Sequence, residues 1–332
     1  MKKIFIISIV ILILMIFGAL FYLGRSAADP NRQIAWGVTF SEKFAREMNL
    51  DWRQAYLGIL DDLKIKNLRL IAYWNQIEPT SGVFDFSDLD WQVNQAQSRG
   101  AKIILALGYK LPRWPECHEP GWIQNQESGI KNQELLKYLK ETVNHYKDNP
   151  AIVAWQVENE PFLNFGECPA FDVLLLDREI ALVRQLDKRP VVITDSGELS
   201  SWIPAARRAD IFGTTMYRWV WNEWVGAYKY PIPPAFFRAK ERITRFLVGR
   251  EKPFVVIELQ GEPWQHKQIY EMTVKQQIKS LNFSEFKSII DYAKKTGFSD
   301  YYFWGVEWWW SLKQNGHPEY WEYVKQLIIS NS

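Results

Sequence analysis

The sequence predicts a single (β/α)8 barrel, and three observations carry that expectation. Eight apolar runs recur along the chain, amphipathic stretches separate them, and no glycine-rich phosphate loop follows the first run. Continuous rather than alternating hydrophobicity marks strands covered on both faces, as in a parallel sheet wrapped by helices. At 332 residues and 47% hydrophobic, the chain has the length and the core for one such α/β barrel. A doubly wound open sheet is the runner-up, weakened by the missing phosphate loop.

Taken in order, strands are expected at 34–39, 67–73, 102–107, 152–157, 191–194, 211–217, 254–257 and 301–306. Between them, residues 135–146 place Leu135, Leu136, Leu139, Val143 and Tyr146 near helical spacing, with Lys and Glu between. The stretches 171–186 and 283–295 behave similarly, and Asn282 is a fitting cap for the second. No internal repeat is evident.

The first residues form a separate unit. Lys2 and Lys3 precede an uncharged apolar stretch, residues 4–23, closed by Gly24 and Arg25. At about 1.5 Å per residue it spans roughly 30 Å, the thickness of a bilayer core. The expected organisation is a transmembrane signal-anchor over 1–25, a short linker over 26–33, and the barrel over 34–332. The paired lysines favour a cytoplasmic N-terminus and an exported barrel held at the cell membrane. Cleavage at Ser26-Ala27-Ala28, giving a secreted protein, is the alternative.

A net charge of +2 without a dense basic run excludes a polyanionic partner, so no nucleic acid is expected. The four histidines, His118, His145, His266 and His317, lack metal-site spacing, so neither a metal nor a cofactor is expected. His118 and His317 are expected at the surface, with the cleft as the alternative. Cys117 and Cys168 follow the third and fourth strands, which are barrel neighbours. They are read as a disulfide, with two unrelated thiols as the alternative.

Glu160 and Glu258 carry the chemistry. Each ends an apolar run, and each is followed within three residues by Pro or Gly. A carboxylate at the tip of a buried strand is costly for folding and useful for reactivity. Two of them facing one cleft are the equipment for cutting a glycosidic bond. Salt-bridged strand ends are the plain structural alternative. Glu158 and Glu262 compete for the same assignments. The other strand ends bring Arg69 and Trp74, then segment 76–85, then Tyr217 with Trp219, Trp221 and Trp224, and finally Glu307 with Trp308 to Trp310.

Together these residues resemble the retaining β-glycosidases of glycoside hydrolase clan A. The Asn159-Glu160-Pro161 triplet looks most like family 5, the run from Ile257 to Gln260 is also similar to family 10, and Ile77-Glu78-Pro79 through Asp85 resembles families 5 and 42. Family 39 is a further relative of the pattern. The resemblance implies Glu160 as general acid/base and Glu258 as nucleophile. Asn159 would hold the 2-hydroxyl of the cleaved sugar, and Arg69 and Tyr217 would touch the nucleophile. The segment 108–115 lacks the histidine usual in family 5, which leaves the sugar open.

Trp308 is expected to floor the cleavage subsite, because it shares the parity of Trp304 near the strand tip. Lys110, Arg113 and Trp114 are expected to line further subsites, or else to sit on the rim. The implied protein is a monomer acting on an oligo- or polysaccharide. A glycan-binding protein on a silent barrel and a transglycosylase are the rival readings.

Overall fold

The computed structural model describes residues 32–170, 172–249 and 251–330. Among them, six parallel strands follow one another around a barrel: β1 (Ala35–Thr39), β2 (Asn67–Ile71), β3 (Lys102–Leu107), β4 (Ile152–Val157), β5 (Val191–Asp195) and β6 (Ile211–Met216). An antiparallel hairpin follows, β7 (Trp219–Asn222) with β8 (Gly226–Lys229). Then β9 (Phe254–Gln260) pairs with β6, and β10 (Asp300–Trp304) pairs with β9 and returns to β1, closing eight strands. Every expected strand is present, shifted by a few residues at most. The hairpin is not anticipated by the sequence reading; Trp219 and Trp221 lie within it and Trp224 at its turn, 85% exposed.

Two layers of side chains explain the apolar runs. Leu68, Leu105, Trp155, Val256, Leu259 and Phe303 face the surrounding helices and belong to the main core. Ile104, Ala154, Val192, Val255 and Ile257 fill the barrel interior. A strand buried on both faces has no polar side to show, hence no alternation. The helix Phe283–Thr296 begins where expected, with the Asn282 side chain accepting from Glu285 N at 3.0 Å. The helix Ser128–Tyr146 starts a turn or more before residue 135.

The third and fourth strand loops are joined by a Cys117–Cys168 disulfide, as expected. Among the described residues no helix is long and apolar enough to cross a membrane. The expected transmembrane segment over 1–25 lies outside the described residues.

Candidate active site

The site rests on a polar layer above the apolar plug of the barrel. Arg69, fully buried on β2, is its hub. Its Nε donates to Gln156 Oε1 at 2.8 Å, Nη2 to Asn159 Oδ1 at 2.7 Å and Nη1 to Glu258 Oε1 at 2.6 Å. A guanidinium out of water needs several acceptors, and this one has them on β4, on the residues following it, and on β9. The other oxygen of Glu258 accepts from Tyr217 Oη at 3.0 Å. Arg69 and Tyr217 therefore both touch Glu258, as the resemblance implies.

A local irregularity aims Glu258. Val255 and Ile257 both face the barrel interior, so strict alternation would send residue 258 toward the helices. The β6–β9 register instead shifts between Thr214↔Val256 and Thr215↔Glu258. This extra residue lets Ile257 and Glu258 both turn inward, a common use of a bulge beside a reactive site.

Glu160 lies just beyond the end of β4, in a backbone that L residues seldom adopt. Glu158 has φ 61° and Glu160 φ 44°, flanking Asn159. Hydrogen bonds hold this turn. Glu160 N donates to Thr194 Oγ1 at 2.8 Å, and Lys110 Nζ donates to the carbonyls of Glu160 and Leu163 at 3.2 and 2.7 Å. The Glu160 carboxyl accepts from Thr215 Oγ1 at 3.1 Å. Burial, then the charges of Glu258 and Glu116, push its pKa well above the usual carboxylate range; the ammonium of Lys110 offsets only part of this.

Glu160 and Glu258 line one cavity of about 460 Å³, with Asn159, Glu116, Tyr217 and Trp304. Its rims carry Trp114, Phe165, Trp221, Tyr228 and Trp264. Apolar ring faces around a few polar groups are usual for a small-molecule or sugar site.

The competing carboxylates are otherwise engaged. Glu158 accepts from Tyr109 N and Lys110 N at 2.5 and 2.6 Å, tying β4 to the β3 loop. Glu262 also lines the cavity, but it pairs with Arg113, which at the same time reaches Glu307 at 3.0 Å. Arg113 lies between the rings of Phe44 and Trp304, 3.6 and 3.9 Å from their centroids, so it is a buried brace as well as a wall. Lys110 braces the turn from beneath and is not among the cavity-lining residues, whereas Trp114 is.

Trp308 is a correction. β10 ends at Trp304, Gly305 adopts φ 108°, and a helix, Val306–Gln314, begins at once. Strand parity therefore stops before residue 308. The Trp308 indole is fully buried, donates to Gln277 Oε1 at 2.9 Å and packs edge-on against Tyr320. Trp304 takes the place in the cavity wall. His118 is likewise neither at the surface nor in the cavity wall. It is buried against Tyr73 with Nε2 3.0 Å from Arg113 O, and burial lowers its pKa to about 4.

The sequence reading missed Thr194 and Thr215, which hold the Glu160 turn, and Glu116 and Trp264, which line the cavity. Threonines on strands read as ordinary β-formers. The only hint for Glu116 is its place beside a bridged cysteine.

An eight-stranded barrel with glutamates closing the fourth strand and lying in the penultimate barrel strand defines a class, and comparison with known proteins agrees with it. The model of glycoside hydrolase family 42, described as beta-galactosidase, matches residues 53–170. A beta-galactosidase of Clostridium cellulovorans is 25% identical over 167 residues, 43% of this chain and 25% of that protein. A probable mannan endo-1,4-beta-mannosidase of Aspergillus terreus is 26% identical over 120 residues, 32% of this chain and 28% of that protein. This chain thus spans about a quarter of each of these relatives.

Among solved structures, an exo-beta-1,4-mannosidase from an Opitutaceae bacterium superposes with TM-score 0.61 at 14% identity, covering 93% of this chain and 62% of that one. A beta-galactosidase of Halorubrum lacusprofundi superposes with TM-score 0.52 at 15% identity, covering 82% and 52%. In its partial sequence matches the chain is similar to clan A glycoside hydrolases, a class of glycosidase enzymes, and its barrel has the fold of the solved members.

Proposed function

We propose that the protein is a retaining glycosidase that hydrolyses a β-linked glycan by double displacement, with Glu258 as nucleophile and Glu160 as acid/base. The observation that carries this reading is the contrast between two carboxyls in one cavity. One is clamped by a guanidinium and a phenol; the other is buried, repelled by its neighbours and inclined to keep its proton. Retention needs the two groups about 5–5.5 Å apart. Supporting that spacing, Thr215, which donates to Glu160, is the register partner of Glu258 on the adjacent strand.

In the first step a Glu258 oxygen bonds to the anomeric carbon as the glycosidic C–O bond breaks, and Glu160 gives its proton to the departing oxygen. Forming the ester removes the Glu258 charge, one of the causes that raise Glu160. Glu160 then ionises more readily and accepts a proton from the water that cleaves the ester. Asn159, anchored through Oδ1, turns its amide nitrogen to the cavity for the 2-hydroxyl. The beta-galactosidases and beta-mannosidases among the relatives support a β-linked hexose. The apolar run at 4–23 supports a tether that holds the exported barrel at the cell membrane, acting as a monomer.

The full chain in detergent is to be assayed on aryl β-galactosides and β-mannosides, then trapped with the matching 2-fluoro glycoside. The expected adduct lies on Glu258. An adduct on Glu262, or hydrolysis that survives Glu160→Ala and Glu258→Ala, overturns the assignment.

A further inference from the structure

Another carboxyl in the cavity, beside the two reactive ones, is not used by the mechanism. Glu116, in the β3 loop, is 6% exposed and lines the cavity beside Asn159, Glu160 and Glu258. Its Oε2 accepts from Asn159 Nδ2 at 3.3 Å, and its Oε1 takes no bond among the described residues. It has no salt-bridge partner among those residues: Arg69 is paired with Glu258, and the Lys110 ammonium is bonded to two carbonyls. Burial and the charge of Glu258 push it up to about 8, against the pull of Lys110 and Arg69.

The backbone holds Glu116 firmly where it is. It has φ 75°, its N donates to Arg113 O at 2.8 Å, and its O accepts from Leu111 N at 2.7 Å. Cys117, the next residue, is bridged to Cys168 of the β4 loop. In that second loop Gly166 lets the two rims close, since a Cβ there would lie 2.5 Å from the Glu116 Cβ. A side chain fixed from both loops serves for recognition without further ordering.

The Asn159 amide is oriented by its other end. Its Oδ1 receives Arg69 Nη2 at 2.7 Å and is approached by Gln156 Nε2 and Thr194 Oγ1, each at 3.4 Å. Nδ2 is thereby turned to Glu116, which takes one of its two protons. A sugar whose C2 substituent meets the second proton sits against Glu116 as well.

We infer that Glu116 is a specificity-determining residue that reads the C2 substituent of the cleaved sugar together with Asn159, accepting a hydrogen-bond donor there, hydroxyl or ammonium, and excluding an acetamido group. This rests on the glycosidase reading of the same site. A hydroxyl or ammonium can donate to the open Oε1 of the ionised carboxyl, and an ammonium also supplies the cation that Glu116 lacks and so favours that ionised form. An acetamido group carries its acyl bulk into a wall that the disulfide and the loop hydrogen bonds hold shut.

The test uses the full chain and aryl β-glycosides of one hexose series bearing hydroxyl, ammonium, hydrogen or acetamido at C2, with wild type, Glu116→Gln and Glu116→Ala. Thermal unfolding first establishes that each variant is folded. Wild type is expected to prefer a donor over hydrogen at C2 by at least about tenfold in kcat/KM, since a site built for a hydrogen bond rejects the analogue lacking it. In Glu116→Ala that ratio is expected to fall to within about threefold, with the acetamido substrate gaining. A merely structural Glu116 would lower all four substrates alike.

An ammonium preference that Glu116→Gln abolishes identifies an amino sugar as the substrate. A hydroxyl preference that Glu116→Gln keeps and Glu116→Ala loses identifies a neutral one. Ratios equal in all three proteins overturn the role of Glu116 while leaving the glycosidase reading intact. A wild type inert on all four overturns that reading, and this inference with it.

Discussion

Glu160 and Glu258 line the same cavity, yet the protein treats them in opposite ways. Glu258 receives a guanidinium and a phenol on its two oxygens, both from buried groups. Glu160 receives a threonine hydroxyl, while burial and then the charges of Glu258 and Glu116 raise its pKa. The proposed division of labour between nucleophile and acid/base rests on that difference between identical side chains. The chemistry lies in what the neighbouring strands direct at each carboxyl.

The largest expected effect removes one side of the contrast. Glu258→Ala is expected to lower kcat by on the order of 10⁴-fold or more, because no covalent step remains. Glu160→Ala is expected to cost about 10²- to 10⁴-fold on substrates with poor leaving groups, and much less in the first step when the leaving group is good. Added azide is expected to rescue the two variants with products of opposite anomeric configuration. The same anomer from both would break the contrast.

A second pair sharpens the border between site and core. Trp308→Ala empties a fully buried position and is expected to destabilise by about 3–5 kcal/mol, leaving KM close to wild type. Trp304→Ala is expected to raise KM, with a smaller loss of thermal stability, since Trp304 faces the cavity. Unfolding midpoints and kinetics measured together decide this, and a KM effect from Trp308 instead would restore it to the site.

The smallest effect is a pH displacement. Glu160 must carry its proton to act as acid, so activity falls as pH rises through its pKa. Glu116 is one of the causes raising that pKa, and Glu116→Gln is expected to move the alkaline limb of kcat/KM to lower pH. Stability carries the same sign. The Glu116 pKa is raised from 4.5 to about 8 in the folded chain. Its contribution is therefore complete below about pH 4.5 and is lost progressively as pH rises through 8. Wild type is expected to lose up to ~4 kcal/mol more than Glu116→Gln between pH 5 and pH 9. Equal losses would show that Glu116 titrates normally.

The barrel was legible because its strands are apolar on both faces, so each run announces itself without its neighbours. Glu160 and Glu258 were legible because a charged residue closing such a run has few other reasons to be there, whereas Asn159, Arg69 and Tyr217 entered through the resemblance to the clan A glycosidases. What escaped depends on backbone detail. Trp308 follows strand parity on paper, but Gly305 starts a helix and parity ends. The bulge that turns Glu258 inward leaves no mark in composition. Glu116 reaches the cavity through loops joined by residues far apart in sequence, and no local spacing encodes that.

The Cys117–Cys168 bridge ties the loop that carries Glu116 to the loop that follows Glu160, while the sheet itself contains no cysteine. Chains made where thiols are kept reduced would share the strands and the paired glutamates but have untied rims around them. Two preparations of identical sequence and near-identical circular dichroism would then differ in which sugars they turn over, so oxidation state should be established before any substrate preference is compared.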